Sequence, residues 1–136
     1  MSTSRRFAAA AALAAAIGSG IVFAPPAAAA AECTAGYTCL HYNSHYQGGI
    51  YKQWGQVSDY AGKTYVASTN GSAGAGQTVK NNAASVNSFD YNREFTVYYN
   101  RNFNCEVACQ TIGVAGAQNL NASLKNNNAS GRPTGI

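Results

Sequence analysis

The sequence predicts a small all-β domain built from two copies of one motif and stapled by disulfides. A tyrosine-rich block, Leu40-His41-Tyr42-Asn43-Ser44-His45-Tyr46-Gln47-Gly48, returns fifty-seven residues later as Val97-Tyr98-Tyr99-Asn100-Arg101-Asn102-Phe103-Asn104-Cys105. Both copies carry Tyr-Asn at the same place, an aromatic three residues after that Asn, and an amide (Gln47, Asn104) just beyond. A tight cysteine pair lies beside each copy, Cys33/Cys39 and Cys105/Cys109. A duplicated hairpin with a covalent clip is the plan of a small exported β-domain rather than of an enzyme scaffold.

Export is read from residues 1–31. Arg5 and Arg6 give a positive start, an apolar stretch runs from Phe7 to Phe23, and Pro25-Pro26 precede an Ala27–Ala31 run suited to signal cleavage. The apolar stretch is short of the roughly 20 residues a membrane-spanning helix needs, and none follows it. Glu32 stands directly before Cys33, where a lipoprotein signal has a small residue, so lipid anchoring is not expected. The expected mature protein is secreted and extracellular, with a domain over residues 32–125 and a disordered, Asn-rich tail over residues 126–136.

A chain of this size buries only about 60–70% of its unfolded surface, so the core is small and staples matter. Four cysteines in an exported chain read as two disulfides. Three connectivities exist; local pairing, Cys33–Cys39 and Cys105–Cys109, is the expectation because both short loops can close on themselves. Without the leader, seven Lys and Arg face five Asp and Glu, a net charge of +2. No basic cluster supplies a footprint for phosphate backbones, so nucleic acid is not an expected partner.

Strand signals recur between turn residues, as in an all-β sandwich or barrel. Thr38-Cys39-Leu40-His41-Tyr42 puts Thr38, Leu40 and Tyr42 on one face, and Phe95-Thr96-Val97-Tyr98-Tyr99 does the same with Phe95, Val97 and Tyr99. Shorter candidates are Ile50–Trp54, Thr64–Ala67, Ser85–Phe89 and Glu106–Ile112. The best helical stretch, Ala117–Leu124, is interrupted by Asn119 and Asn121. Residues 68–78 read as a flexible Gly/Ser connector with nothing to bury. Asn70, Asn121 and Asn128 each begin a glycosylation acceptor pattern; polar turns explain all three.

The blocks Tyr98-x-x-x-x-Phe103-x-Cys105 and His41-x-x-x-x-Tyr46-x-Gly48 resemble the aromatic-x4-aromatic-x-Gly hairpin of the βγ-crystallin fold. The resemblance implies a Greek-key sandwich of two motifs, each with a folded hairpin tied down by a later serine, for which Ser85 and Ser123 are the candidates. His41 departs from the usual aromatic and Cys105 from the usual glycine. A narrower likeness is carried by Cys33-Thr34-Ala35-Gly36-Tyr37-Thr38-Cys39, by Ser85-Val86-Asn87-Ser88-Phe89 leading into Glu94-Phe95-Thr96-Val97, by the Cys105/Cys109 pair, and by Gly113 to Leu124. These stretches, within about residues 33–125, resemble the Streptomyces metalloproteinase inhibitor family. The resemblance implies a monomeric inhibitor of secreted zinc metalloproteases of the thermolysin type, with no cofactor and no membrane partner.

In that family the reactive bond follows the first cysteine of the tight pair, which carries over to Cys105–Glu106, with Val107 and Ala108 completing the loop. A short ring holds its backbone extended and rigid, which lowers the ordering cost of binding and keeps the two halves of a cleaved bond together. Two departures bear on the target: the ring holds three residues, one fewer than the family has, and Glu106 follows the bond where thermolysin-type enzymes favour a large apolar side chain.

Other chemistry has weaker support. His41 and His45 are the only histidines, and no motif joins either to Asp59, Asp90 or Glu94 as in a nucleophile–His–acid triad. Cys33, Cys39, His41 and His45 fit no zinc-finger spacing. The alternative function is a non-inhibitory module that binds a surface partner, or calcium weakly at Asn82 and Ser85 within Asn81-Asn82-Ala83-Ala84-Ser85-Val86. That segment holds no carboxylate, and calcium wants six to eight oxygens that usually include carboxylates.

Overall fold

The computed structural model describes residue 20 and residues 29–135. The leader expected over residues 1–31 therefore lies almost wholly outside the described residues; no helix among those described is long and apolar enough to cross a membrane.

Seven strands lie among the described residues: β1 (Thr38–His41), β2 (Ile50–Gln53), β3 (Ser85–Ser88), β4 (Glu94–Tyr98), β5 (Cys109–Ile112), β6 (Ala117–Asn119) and β7 (Ser130–Thr134). They form two antiparallel sheets, ordered β2-β1-β3-β6 and β5-β4-β7. The connectivity intertwines the motifs. After β5 the chain crosses to the first sheet, where β6 pairs with β3, and after β2 it crosses the other way, where Val57 bridges to Gly131 of β7. Each motif lends its third segment to the other's sheet, the Greek-key exchange that makes the two halves one folding unit.

The alternating segments form strands within a residue of their expected bounds at β1, β2, β3 and β4. The expected Glu106–Ile112 strand starts late, at Cys109, because Glu106 to Ala108 are held inside the disulfide ring. Thr64–Ala67 contributes only isolated bridges, Thr64 to Thr78 and Val66 to Ile50. The stretch Ala117–Leu124 opens as strand β6 and continues into turns.

The disordered tail expected over residues 126–136 is corrected by the structure. Asn128, Ala129 and Ser130 are buried, and β7 pairs along its whole length with β4. The Asn128 side chain accepts from Ala83 N at 2.9 Å and donates to Val79 O at 3.0 Å, while its carbonyl accepts from Asn81 N at 2.8 Å. Tyr60 N donates to Ala129 O, and Ala129 N to Tyr98 O. The domain therefore runs on past residue 125, and its last strand stitches both motifs together.

The core draws Leu40 and Val86 from one sheet and Phe95, Val97 and Ile112 from the other. The connections supply the rest: Tyr60, Tyr65, Val79, Ala83, Leu120 and Leu124. Large Tyr side chains fill volume that scarce Leu and Ile cannot; of the two buried phenols in this core the Tyr65 hydroxyl has no partner, while that of Tyr60 is paired. Tyr60 donates to Gln53 Oε1 at 2.7 Å, and Gln53 Nε2 in turn donates to Gly131 O at 2.8 Å. Burial pushes the Tyr60 phenol well above its ordinary pKa, so it stays protonated as a donor.

Residues 68–78 lie at the surface but are pinned, contrary to the flexible connector expected. Ser68 is buried and donates to Gly48 O at 2.6 Å; Gly49 N donates to Ala73 O and Gly76 N to Tyr65 O. Gly74 has a φ of 80° and lies flat against the Tyr42 ring, where any Cβ would overlap the ring atoms. The Gly-rich composition serves close approach rather than looseness.

Candidate functional site

Both tyrosine-rich blocks fold back on themselves in the same way. His45 and Tyr46 in the first, and Asn102 and Phe103 in the second, take φ between 57° and 60°. Non-Gly residues adopt this left-handed region at a cost, so each fold needs an external tie. Ser85 supplies the first: Tyr46 N donates to its Oγ at 3.0 Å and the hydroxyl donates to Asn43 O at 2.7 Å. Ser130 supplies the second, accepting from Phe103 N at 3.1 Å and donating to Asn100 O at 2.6 Å. Edge-to-face aromatic pairs complete both, His41 on Tyr46 and Tyr98 on Phe103, each at 5.9 Å between ring centres.

The tie expected at Ser123 is thus corrected to Ser130. Ser123 sits in a turn, where its backbone N–H donates to Asn121 Oδ1. The signal for the right serine was present: Lys80-Asn81-Asn82-Ala83-Ala84-Ser85 and Lys125-Asn126-Asn127-Asn128-Ala129-Ser130 share Lys-Asn-Asn-x-Ala-Ser. The shared letters have shared geometry. Asn81 and Asn126 both have φ of 61°; Asn81 N donates to Asn128 O, and Asn126 N to Ala83 O, across the axis relating the two motifs.

The motifs diverge where the second hairpin should turn. Gly48 takes a φ of 82°, whereas Cys105 is not in the left-handed region; it is bonded to Cys109, with 5.1 Å between their Cα atoms. The other bridge joins Cys33 to Cys39. Asn104 Oδ1 accepts from Glu106 N at 2.8 Å, and Tyr99 N donates to Ala108 O at 3.0 Å. Ala108 packs against the core, while Cys105, Glu106 and Val107 are exposed, Val107 by 62%. The ring is anchored on both flanks and bare at its crest, a shape that can enter a cleft without first losing much conformational freedom.

The remaining candidates are dispersed. Cys33 and Cys39 are bonded to each other, so their sulfurs cannot join His41 and His45 around zinc, and among the described residues no three His, Cys, Asp or Glu side chains are grouped to hold a metal ion. Asp59 contacts Lys80 at 3.0 Å and Arg101 at 3.5 Å, and the Ala61 amide together with Lys80 holds its carboxyl below the ordinary value. Asp90 binds Arg93 at 2.7 Å; burial pushes its carboxyl up, but the Asn92 amide and Arg93 outweigh that and hold it low.

At the suggested calcium position, Ser85 Oγ is already committed to the hairpin and Asn82 Nδ2 donates to Thr78 O at 2.9 Å. The adjoining cleft is lined by Tyr42, Asn43, Asn82 and Lys125, whose ammonium opposes a cation. Millimolar calcium should therefore leave the melting temperature nearly unchanged. Calcium at 100 times its dissociation constant would add about 2.7 kcal/mol. Since each kcal/mol moves the midpoint by roughly 4–8 °C in a domain near 100 residues, a rise above about ten degrees would make calcium binding primary.

Comparison with known proteins places this architecture. A solved structure described as "Evolution of the eye lens beta-gamma-crystallin domain fold" superposes with a TM-score of 0.58 at 16% identity, covering 78% of this chain and 93% of that one. The chain has the βγ-crystallin fold. No family model and no curated protein matches it. At this identity the likeness speaks for the fold alone; function has to be argued from the site.

Proposed function

We propose that this protein is a secreted, monomeric, non-enzymatic peptidase inhibitor. It presents Cys105-Glu106-Val107-Ala108-Cys109 as a substrate-like loop to a secreted zinc metalloprotease, with Cys105–Glu106 as the reactive bond. The observation that carries the reading is the exposed crest of a ring whose flanks are fixed by Asn104, Tyr99 and Ala108. Two disulfides fit an oxidising compartment, where such a protease would be met. The likeness of the cysteine-flanked segments to the Streptomyces metalloproteinase inhibitors supports the same reading.

Glu106 sets the test. An acidic side chain entering an apolar pocket loses hydration without compensation; an unpaired neutral polar group already costs about 1–3 kcal/mol in protein mutational data, and an ionised carboxylate costs more. Glu106→Val should therefore tighten inhibition of a thermolysin-type enzyme by a factor of about 5 to 150 or more. The exposed loop change should leave the melting curve alone. Cys105→Ser with Cys109→Ser should weaken inhibition through lost pre-organisation. If the wild type and Glu106→Val both fail against every zinc protease tried while melting normally, the ring is a staple and the inhibitor reading falls.

A further inference from the structure

Four strand edges bound the two sheets, and three of them are covered, blunted or short. On β2, Ile50 N donates to Val66 O at 2.9 Å and Val66 N donates back to Ile50 O at 3.0 Å. On β7, Gly131 makes the same exchange with Val57, and two positions on stands Pro133, which has no N–H to offer a further strand. Strand β6 is only three residues long. The fourth edge is β5, which continues directly from the disulfide ring at Cys109.

Register decides which groups of β5 face outward. Along an antiparallel pair, residues that bond across it alternate with residues whose N–H and C=O point away from it. Tyr99 N donates to Ala108 O, so Val97 and Gln110 bond across the pair in turn, while Tyr98 and Cys109 do not. Tyr98 O accordingly accepts from Ala129 N on the far side of β4. The N–H and C=O of Cys109, and one period on those of Thr111, therefore point off the sheet, and among the described residues no backbone group pairs with them. Thr111 is exposed, and the Gln110 side chain turns to Gln118 and Asn119 rather than over the edge.

The first motif shows what such an edge takes. Ile50 is paired with His41 as Cys109 is with Tyr98, and Tyr42 N donates to Gly49 O as Tyr99 N does to Ala108 O. At the Ile50 position the chain covers itself with Val66, antiparallel, from the long connection between the Val57 bridge and β3. The second motif has only residues 120–129 between β6 and β7, and these are occupied by turns and by Leu120 and Leu124 in the core.

We propose that the β5 edge is a docking site for an extended backbone segment of the target protease, added antiparallel to Cys109 and Thr111 beside the cleft that the ring enters. This rests on the inhibitor reading and extends its contact surface. The two contacts are continuous, because Cys109 both closes the ring and opens the strand. Strand addition draws its affinity from main-chain hydrogen bonds, so the edge needs no particular side chain on β5.

Amide exchange, followed in the free protein and in its complex with a thermolysin-type enzyme, reads the edge directly. The Cys109 and Thr111 amides should exchange freely alone and slow by about tenfold or more in the complex. Thr111→Pro removes one outward donor, and Pro133 shows that this sheet accepts proline at an outward edge position. It should melt near the wild type and weaken inhibition about tenfold, as loss of one hydrogen-bond partner would. Thr96→Val removes the hydroxyl bond to Thr111 from the neighbouring strand and should inhibit as the wild type does. If Thr111→Pro does not fold, amide protection in the wild-type complex decides alone. Inhibition by the wild type with both amides still exchanging freely, or undiminished inhibition by a folded Thr111→Pro, overturns the docking edge and leaves the ring reading standing. Amides already slow in a free protein that sediments as a dimer overturn it too, because a second copy then holds the edge. A wild type that inhibits no zinc protease removes the ring reading and this one together.

Discussion

A chain ending at Lys125 is expected not to fold. It would lose β7, and with it every pairing along one side of β4. It would also lose the Asn128 contacts to Val79, Asn81 and Ala83, the Ala129 contacts to Tyr60 and Tyr98, and the Ser130 tie of the second hairpin. Six core side chains come from residues 60–83 and 120–124, segments that hold their places partly through these bonds. A domain with only about 5–15 kcal/mol to spare does not survive removal of a whole seam. Circular dichroism of the truncated protein should show no cooperative thermal transition. Single substitutions refine the test. Ser130→Ala strands the Phe103 N–H and should cost about 1–3 kcal/mol, whereas Ser123→Ala should stay within about 0.5 kcal/mol. A truncated protein that melts like the full chain would remove β7 from the folding unit.

The reason β7 is hard to read in sequence is physical. Ser130-Gly131-Arg132-Pro133-Thr134 has no apolar alternation and contains Gly and Pro, both of which argue against a strand. Pro133 is tolerated because β7 pairs with β4 on one side only, apart from the bridge at Gly131. Gly131 is required because a Cβ there would overlap the Tyr60 hydroxyl and approach Phe95 Cζ to 2.9 Å. The strand is held by backbone bonds and burial of small residues, and composition records neither. By contrast, β1 and β4 carry Leu40, Phe95 and Val97 at period two, a signal that burial itself writes into a sequence.

The site divides along the same line. The hairpins and the local disulfides were legible because their determinants lie within a few residues of one another: the aromatic pairs span five positions and the cysteine pairs six and four. The second hairpin's serine is thirty residues from the carbonyl it caps, and the Lys-Asn-Asn-x-Ala-Ser repeat that marks it falls inside a run that reads as polar tail. The burial of His41 was not legible at all. It depends on the segment at Ala31 and the loop at Ser68 meeting over β1, a contact between parts of the chain that carry no apolar pattern.

That burial makes His41 the acid-sensitive point of the fold. Its pKa falls from 6.5 to about 4 because burial disfavours the charged ring. In the unfolded chain it would take up a proton near its ordinary value, so as pH drops below 6.5 the unfolded state binds the proton first. The stabilising difference is complete above 6.5, is lost progressively on acidification, and is gone below about 4. At about 1.4 kcal/mol per pH unit the loss across this window approaches 3 kcal/mol, a fall in melting temperature of more than ten degrees for a domain near 100 residues. Asp59 and Asp90 act in a lower window: their carboxyls are held below the ordinary 3.8, so the stability they contribute persists above that value and fails only beneath it. His41→Phe should therefore flatten the melting profile between pH 6.5 and 4, leave the carboxylate-linked fall below that window, and raise stability at neutral pH by removing two orphaned nitrogens. His45→Gln, at an exposed position, is the control and should keep the wild-type slope. If the wild type melts at one temperature from pH 7 to pH 4.5, or if His41→Phe keeps the slope, the imidazole is not dry in solution and the acid response lies elsewhere.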